Sequence, residues 1–318
     1  MREQVRKLRT AAQSVLGRYG ISATAMHLLA HHRQTTFRID ARDRRYVLRF
    51  QRTSHRRPDE IRAEFCWLRH LHEQSDLVIP EPVSTLDGED VLSGADGLPE
   101  GFHCSVLKWV EGKRYFRKHG PGVRVLGEVG RIMGTMHNVA ELFARPRSFA
   151  CPIWDWERLF GQKNPGLDAK WIDAPKRQLF AKVERRVRLA MDDLGTGSRV
   201  FGVIHGDVMQ ANYLVHHRRI HIIDFADFGL GHFLYDMAIT LFALWRLDPE
   251  EKQRQAFLAG YREAREFSWH HEQLLNVFIA GRGVVQARFV MASEHPDDQR
   301  IALRYIRHVG SGLETWLA

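Results

Sequence analysis

The sequence predicts an α+β chain with two lobes: a small lobe built on an antiparallel sheet with one main helix, and a larger, mostly helical lobe. In the first third of the chain, apolar and polar residues alternate in strand-like runs on either side of one amphipathic helix. Beyond about residue 110 the apolar residues recur at helical spacing instead. A length of 318 residues is sufficient for two unequal lobes.

A hairpin and one helix dominate the predicted small lobe. Residues 35–39 and 46–50 alternate around a polar turn at 40–45, which indicates two paired strands. Pro58 then opens a helix with one apolar face, because proline is favoured in the first helical turn. Glu64 lies beside that face, so its carboxylate is expected to have a buried partner.

An extended stretch at 78–83 and a buried strand at 102–107 complete the small lobe, and helical spacing follows. An apolar stripe then runs along one predicted helix, where interspersed glycines allow a neighbouring element to approach closely: Val125, Gly127, Val129, Gly130, Ile132, Met133, Gly134 and Met136. We expect a second hairpin at about 200–225 and amphipathic helices from about 234 onwards.

Composition narrows the function classes. The net charge is +9 and the pI is about 9.7, yet the basic residues are scattered, so we expect attraction of anionic substrates and no nucleic-acid partner. Three widely spaced cysteines fit a reducing compartment. Residues 1–7 lack a signal-peptide pattern, and no run of eighteen apolar residues occurs. We therefore expect a soluble, cytoplasmic protein without a membrane anchor.

The most informative stretch joins three polar residues to two buried strands. An apolar run ends in His205-Gly206-Asp207, and Asn212 follows five residues later. A second apolar run then delivers Asp224 at its end. Two aspartates and an asparagine, each next to a rigid strand, form an unusual set for ordinary turn residues.

This set matches the needs of phosphoryl transfer. That reaction requires an oriented hydroxyl, a group that takes its proton, and metal ions on the phosphates. Asp207 is suited to act as the base. Asn212 and Asp224 offer hard oxygen ligands of the kind that Mg²⁺ prefers.

The same residues carry a family resemblance. His205-Gly206-Asp207 with Asn212, then Asp224-Phe225-Ala226-Asp227 and Asp236-Met237-Ala238, resembles the aminoglycoside phosphotransferase and choline kinase family, whose members are related to protein kinases. The resemblance covers most of the chain and is most specific in the larger lobe. It implies a protein-kinase-like fold with a nucleotide-binding lobe at 1–107, a hinge at 108–112, and a lobe at 113–318 with the catalytic loop and acceptor site.

The resemblance also implies roles for individual residues. Asp207 would be the catalytic base, Asn212 and Asp224 the metal ligands, and Asp236 a brace for the catalytic loop. His205 and Asp227 would have supporting roles, although Asp227 is equally well explained as a solvated loop residue. The implied metal is Mg²⁺, with Mn²⁺ as an alternative, and the implied co-substrate is ATP or GTP.

The implied nucleotide site lies in the small lobe and the hinge. Arg49 stands where the family usually has a phosphate-binding lysine, with Glu64 as its ion-pair partner; the alternative is a plain surface pair. Residues 33–37 would form the loop over the phosphates through Gln34, Thr35 and Thr36. The hinge would receive the base at Leu107, Trp109 and Val110. The chain departs from the usual pattern in lacking a glycine-rich loop and in having arginine at 49, a wider cation than lysine.

The acceptor is less constrained. Asp224 and Asp236 are too close in sequence for a long peptide-docking segment, which favours a small hydroxyl-bearing acceptor over a protein. A Ser/Thr protein kinase and a non-catalytic pseudokinase remain the alternatives. Trp154, Trp156 and Trp171 are candidates for lining the acceptor pocket or for ordinary packing. Arginines in the last helices, at 282, 288, 300, 304 and 307, argue against a polycationic aminoglycoside and leave an amino acid, amino alcohol or sugar.

Overall fold

The small lobe is an antiparallel sheet with one long helix before its first strand and another between its third and fourth strands. A computed structural model describes residues 2–31, 34–42, 44–161, 172–244, 251–292 and 313. The elements of this lobe, in chain order, are α1 (Arg2–Arg18), β1 (Ala23–His31), β2 (Gln34–Ala41), β3 (Arg45–Arg52), α2 (Pro58–Gln74), β4 (Pro82–Val83), β5 (Leu92–Ser93) and β6 (Phe102–Lys108). The strand order is β1-β2-β3-β6-β4, and β5 also pairs with β6.

The predicted hairpin is β2–β3, and its register pairs Thr36 with Arg49. The helix α2 begins at Pro58, as predicted, with Asp59 and Glu60 in its first turn, where carboxylates are favourable. Helix α1 and strand β1 were not predicted. The buried residues of α1 do recur at helical spacing, at Leu8, Ala11, Ala12, Val15 and Leu16, whereas β1 is an edge strand with mostly exposed side chains.

The larger lobe is mostly helical. Its elements are β7 (Lys113–Arg114), α3 (Val123–Leu142), β8 (Ile153–Trp154), α4 (Trp156–Phe160), α5 (Ala174–Leu194), β9 (Phe201–Ile204), β10 (Tyr213–His216), β11 (Arg219–Ile222), β12 (Gly229–His232), α6 (Phe233–Leu244), α7 (Lys252–Ala264) and α8 (Trp269–Ala292). The expected hairpin at 200–225 is shorter than predicted. It consists of β10 and β11 alone, because β9 pairs with β12 in a separate sheet.

Glycines set the contact between α3 and α7. A Cβ atom at Gly130 would lie 2.0 Å from the carbonyl oxygen of Phe257, and one at Gly260 would lie 1.8 Å from that of Gly127. The two backbones therefore touch, as the glycine spacing on the α3 stripe predicts. This contact anchors the helix that supports the catalytic loop.

The core falls into two parts. One part fills the small lobe between α1 and the sheet, with Leu8, Val15, Phe37 and Phe50 among its members. The other joins the inner face of α2 to the helices of the larger lobe. Helix α6 is buried nearly all round and is thus not amphipathic, which corrects the expectation for its part of the chain. Residues Trp269–Met291 of α8 are long and apolar enough to cross a membrane, but most of this segment is buried in the larger-lobe core.

Candidate active site

Asp207 lies on the loop between β9 and β10, at the centre of the predicted constellation. The Asn212 side-chain nitrogen donates hydrogen bonds to the Asp207 carboxylate oxygen Oδ2 (2.8 Å) and to its backbone carbonyl (2.9 Å). The backbone N–H of Asp207 donates to Nδ1 of His205 (3.2 Å). These bonds fix one side of the carboxylate and leave its other oxygen to an incoming group.

The environment of Asp207 raises the pKa of its carboxyl group. Burial raises the pKa of Asp207 from 3.8 to about 6, and the nearby Asp227 adds to the effect. His205, Arg282 and the Asn212 hydrogen bond act in the opposite direction. The carboxyl therefore titrates just below neutral pH, which suits a general base.

Asp224 follows strand β11, two residues after its last residue Ile222. Its backbone has φ of 68°, in the left-handed region that aspartate tolerates better than most residues. The residue is open to solvent at the cleft, but the surrounding protein displaces much of its hydration and raises its pKa. The positive charge of Arg49, across the cleft, acts against that rise.

Asp236, at the start of α6, holds the catalytic loop through the backbone. Its carboxylate accepts hydrogen bonds from the N–H groups of His205 and Gly206, both at 2.9 Å, and it has no exposed surface. Burial would raise the pKa of Asp236, but hydrogen bonds from the His137 ring and from the His205 backbone N–H keep it below the usual value. Gly206 is required here, because its φ is 80° and a Cβ would lie 2.2 Å from the Asp227 carbonyl oxygen.

A buried histidine that sequence reasoning missed supports Asp236. His137 of α3 contacts Oδ2 of Asp236 through Nε2 (3.3 Å) and the hydroxyl of Tyr261 through Nδ1 (2.8 Å). Because a carboxylate only accepts, Nε2 carries the proton and Nδ1 accepts from the phenol. Burial lowers the pKa of His137, consistent with a neutral ring. The one sequence signal was a polar residue within an apolar stripe.

In the small lobe, Arg49 and Glu64 form a buried pair and are not a surface pair. Their side chains meet at 2.8 Å and are 4% and 0% exposed. Arg56, which sequence reasoning also missed, contacts the other Glu64 oxygen at 2.7 Å. Burial opposes ionisation of Glu64, but the two arginines hold its pKa below the ordinary value. Arg49 also donates to the Ser105 hydroxyl (3.3 Å).

The predicted phosphate loop needs a correction. Gln34, Thr35 and Thr36 begin the strand β2 and do not form a loop, because the strand β3 pairs with all three. Thr35 is buried, and its hydroxyl bonds to His31 (2.8 Å). Thr36 is the cross-strand neighbour of Arg49. Residue 33, the first of the predicted loop, lies outside the described residues.

The predicted hinge connects β6 to the larger lobe. Leu107 and Val110 are buried, and Trp109 is half-buried. The backbone N–H of Trp109 already donates to the Arg45 carbonyl (3.0 Å), so this amide is not available to a nucleotide base. The Trp109 ring lies near the guanidinium groups of Arg38 and Arg45.

The other predicted residues differ in how close they lie to the catalytic loop. Asp227 is half-buried, and its carbonyl accepts from Nε1 of Trp154 (3.1 Å). Trp156 packs away from it and donates to the Glu184 carbonyl (3.0 Å). Arg288 pairs with Glu184, whereas the charge of Arg282 reaches Asp207. Trp171, Arg300, Arg304 and Arg307 lie outside the described residues.

The donor set around Asp207 fits a hard divalent cation. The two bonds from the Asn212 nitrogen orient its amide, so that the side-chain oxygen points away from Asp207. Asp224 adds carboxylate oxygens. Within the described ranges, no three His, Cys, Asp or Glu residues form a metal cluster by themselves. Two protein ligands completed by phosphate oxygens and water are the arrangement that Mg²⁺ commonly uses.

Comparison with known proteins identifies the family. Residues 28–274 match the sequence profile of the phosphotransferase enzyme family. The chain belongs to this family. The family assignment agrees with the resemblance inferred from the catalytic-loop residues.

Similar proteins of named activity agree with this assignment. Amicoumacin kinase of Bacillus subtilis is 25% identical over 265 residues, covering 78% of this chain and 74% of the relative. A homoserine kinase of Sinorhizobium fredii is 27% identical over 220 residues, covering 67% and 62%. The solved structure of a microcompartment-associated aminopropanol kinase has a TM-score of 0.83 at 26% identity and covers 97% of both chains. The predicted two-lobed α+β kinase fold and the assignment as a phosphotransferase are confirmed.

Proposed function

We propose that this phosphotransferase moves the γ-phosphoryl group of ATP or GTP to a hydroxyl of a small molecule, with a divalent metal ion. The observation that carries the proposal is the Asp207 carboxylate, fixed by Asn212 on a loop that Asp236 holds through two backbone hydrogen bonds. A rigid carboxylate beside two oxygen donors meets the positioning demands of phosphoryl transfer.

In the proposed mechanism, Asp207 orients the acceptor hydroxyl and takes its proton. A carboxyl with a pKa of about 6 is ionised at neutral pH and remains a better proton acceptor than an ordinary aspartate. Asn212 keeps the carboxylate in one rotamer. His205 supports the loop from within, because its ring accepts the Asp207 N–H.

Asn212 and Asp224 would hold the metal ion, Mg²⁺ or alternatively Mn²⁺. When bound, the ion neutralises charge on the nucleotide phosphates. Arg49 would contact those phosphates from the small lobe, since its charge reaches Asp224 across the cleft. Glu64 and Arg56 fix the position of Arg49. Leu107 and Val110 are the proposed contacts of the base.

The cleft charges favour an acceptor that carries both an amine and a carboxylate. Asp207 and Asp227 provide negative charge, and Arg282, half-buried on α8, provides positive charge close enough to affect both Asp207 and Tyr235. A hydroxylated amino acid matches this combination. The homoserine kinase relative supports it, because its named substrate carries both groups.

The alternative functions have less support. Between Asp224 and Asp236 the chain forms a short 3₁₀ turn and the strand β12, which leaves no free segment for docking a peptide. A pseudokinase commonly lacks one of the catalytic or metal residues, and all three are present. Cytoplasmic location remains an expectation from the sequence.

Transfer of ³²P from labelled ATP to L-homoserine, 1-amino-2-propanol and kanamycin tests the proposal, with Mg²⁺ and with Asp207→Asn as the inactive control. We expect label in homoserine, with none in kanamycin. Arg282→Ala should raise the KM for homoserine at least tenfold and leave that for the amino alcohol unchanged. Preference for the amino alcohol would refute the carboxylate argument alone. Label only in added protein extract would favour a protein kinase, and no transfer to extract or metabolites would refute the catalytic proposal.

A further inference from the structure

A cavity lies next to the hinge residues 108–111 and is not lined by the catalytic loop. Its volume is about 570 Å³, within the range of small-molecule sites. The walls are the hinge residues 108–111, the segment that follows α2, and the tip of the β10–β11 hairpin. Arg49, Glu64, Asp207, Asn212 and Asp224 do not line it. Of the residues proposed above to contact the nucleotide or the metal, Val110 is the one that lines this cavity, so those roles leave most of its wall unexplained.

The hairpin presents one arginine and three histidines to the cavity. The register pairs His216 with Arg219 and Leu214 with His221, which places His216, Arg219 and His221 on one face of the hairpin. The rings of His216 and His221 are 5.9 Å apart, and the rings of His216 and His217 are 4.1 Å apart. Nδ1 of His221 donates to the Glu111 carbonyl (2.9 Å), which fixes the hairpin against the hinge.

The balance of charge in the cavity is positive. The carboxylates of the wall are already paired: Glu81 with Lys108 at 2.5 Å, and Glu111 with Arg45 at 2.6 Å. Arg219 also lines the cavity, and its guanidinium makes no hydrogen bond or ion pair with the side chains that the structure describes. An anion placed here would meet the Arg219 guanidinium and the rings of His216 and His217.

The turn at the tip provides an independent observation. His217 and Arg218 have φ of 46° and 67°, so both central residues of this two-residue turn are left-handed. Such turns favour Asn-Gly, and a side chain at each position costs about 1 kcal/mol or more. Strain of this kind is characteristic of functional sites. Here it holds the His217 side chain in the cavity wall.

An apolar wall faces these donors. Val78 is 42% exposed, and it lines the cavity together with Ile79, Val110 and Trp109. We propose that this cavity is a second binding site, for a phosphate-bearing small molecule whose phosphate contacts Arg219, His216 and His217 and whose organic part lies on the apolar wall. A guanidinium binds phosphate through charge-assisted hydrogen bonds, and an imidazole N–H can donate to a phosphate oxygen.

Calorimetric titration of the full chain with inorganic phosphate and with O-phospho-L-serine tests this assignment. Arg219→Gln should weaken binding about tenfold or more, since one charge-assisted contact is lost. Arg218→Gln is the matched control, because Arg218 is the adjacent exposed arginine but does not line the cavity. Tighter binding of phosphoserine than of phosphate identifies a phosphate ester as the ligand, and equal affinity identifies free phosphate.

Three results would overturn the assignment: no binding of either probe at 10 mM, wild-type affinity in Arg219→Gln, or equal losses in both arginine variants. The second result would place the phosphate in the catalytic cleft. The third would show general attraction to the basic hairpin tip. Circular dichroism of each variant confirms that the fold is retained.

Discussion

The substitution Asp207→Asn should remove activity and stabilise the protein at the same time. A carboxyl with a pKa of about 6 in the folded protein and 3.8 in the unfolded chain binds its proton more tightly when folded. Stability is therefore lost as pH rises from 3.8 to 6, and the full penalty is present above pH 6. The penalty is about 3 kcal/mol at pH 8 and about half that at pH 5.

Asparagine has no charge to desolvate and still accepts the hydrogen bond from Asn212, so the variant should escape the penalty. Urea unfolding at pH 5 and pH 8, followed by circular dichroism, measures the gain. At pH 8 it should approach about 3 kcal/mol, or about 4 °C in Tm. The exposed Asp96→Asn is the control and should change stability by less than about 0.5 kcal/mol.

Kinetics test the same carboxyl independently. The wild-type kcat/KM should fall as pH drops below about 6, because protonation of Asp207 removes the base. Asp207→Asn should lose at least about 10³-fold in kcat. The reasoning is refuted if the variant is less stable than the wild type at pH 8, or if its stability gain is larger at pH 5.

Three further substitutions test the packing of the site. Gly130→Ala should lower the free energy of unfolding by about 1–3 kcal/mol, because its Cβ would overlap the Phe257 carbonyl. The control Gly127→Ala should be neutral or slightly stabilising. Equal effects of the two substitutions would contradict the close contact between α3 and α7. Glu64→Gln should cost about 3–5 kcal/mol in urea unfolding, because two arginines then remain buried without their counterion, and a loss below about 1 kcal/mol would contradict this. Asp236→Ala should cost about 2–3 kcal/mol and reduce kcat at least tenfold, and unchanged kcat would show that the loop does not need its brace.

Short-range patterns in the sequence predicted much of the larger-lobe site. Asp207, Asn212 and Asp224 lie within one segment and are tied to two strands, so their proximity follows from local structure. Glu64 was expected to need a partner because it lies beside an apolar helix face. Its pairing with Arg49 follows from the family resemblance, and burial distinguishes it from a surface pair.

Contacts that depend on the tertiary fold could not be predicted from the sequence. Nothing in the local pattern of Arg56 indicates that it reaches Glu64, because it precedes α2 in an irregular turn. His137 and Tyr261 belong to helices whose crossing only the fold defines. Gln34–Thr36 were assigned to a loop by family analogy, and that assignment was wrong. Their strand-like alternation was the correct guide, because they begin strand β2. The pairing of β9 with β12 likewise overrides the proximity of β9 to β10 in sequence.

The hydrogen bond between His137 and Tyr261 has a consequence for the order of events during synthesis. A nascent chain that has emerged only through α6 already contains the catalytic loop and Asp236, but it lacks the phenol that fixes His137. It also lacks the α7 backbone that packs on Gly130. The small-lobe core, by contrast, is complete once Val106 has been made. All residues of the small-lobe core are therefore synthesised first, whereas the His137–Tyr261 bond behind Asp236 can form only after α7 has followed.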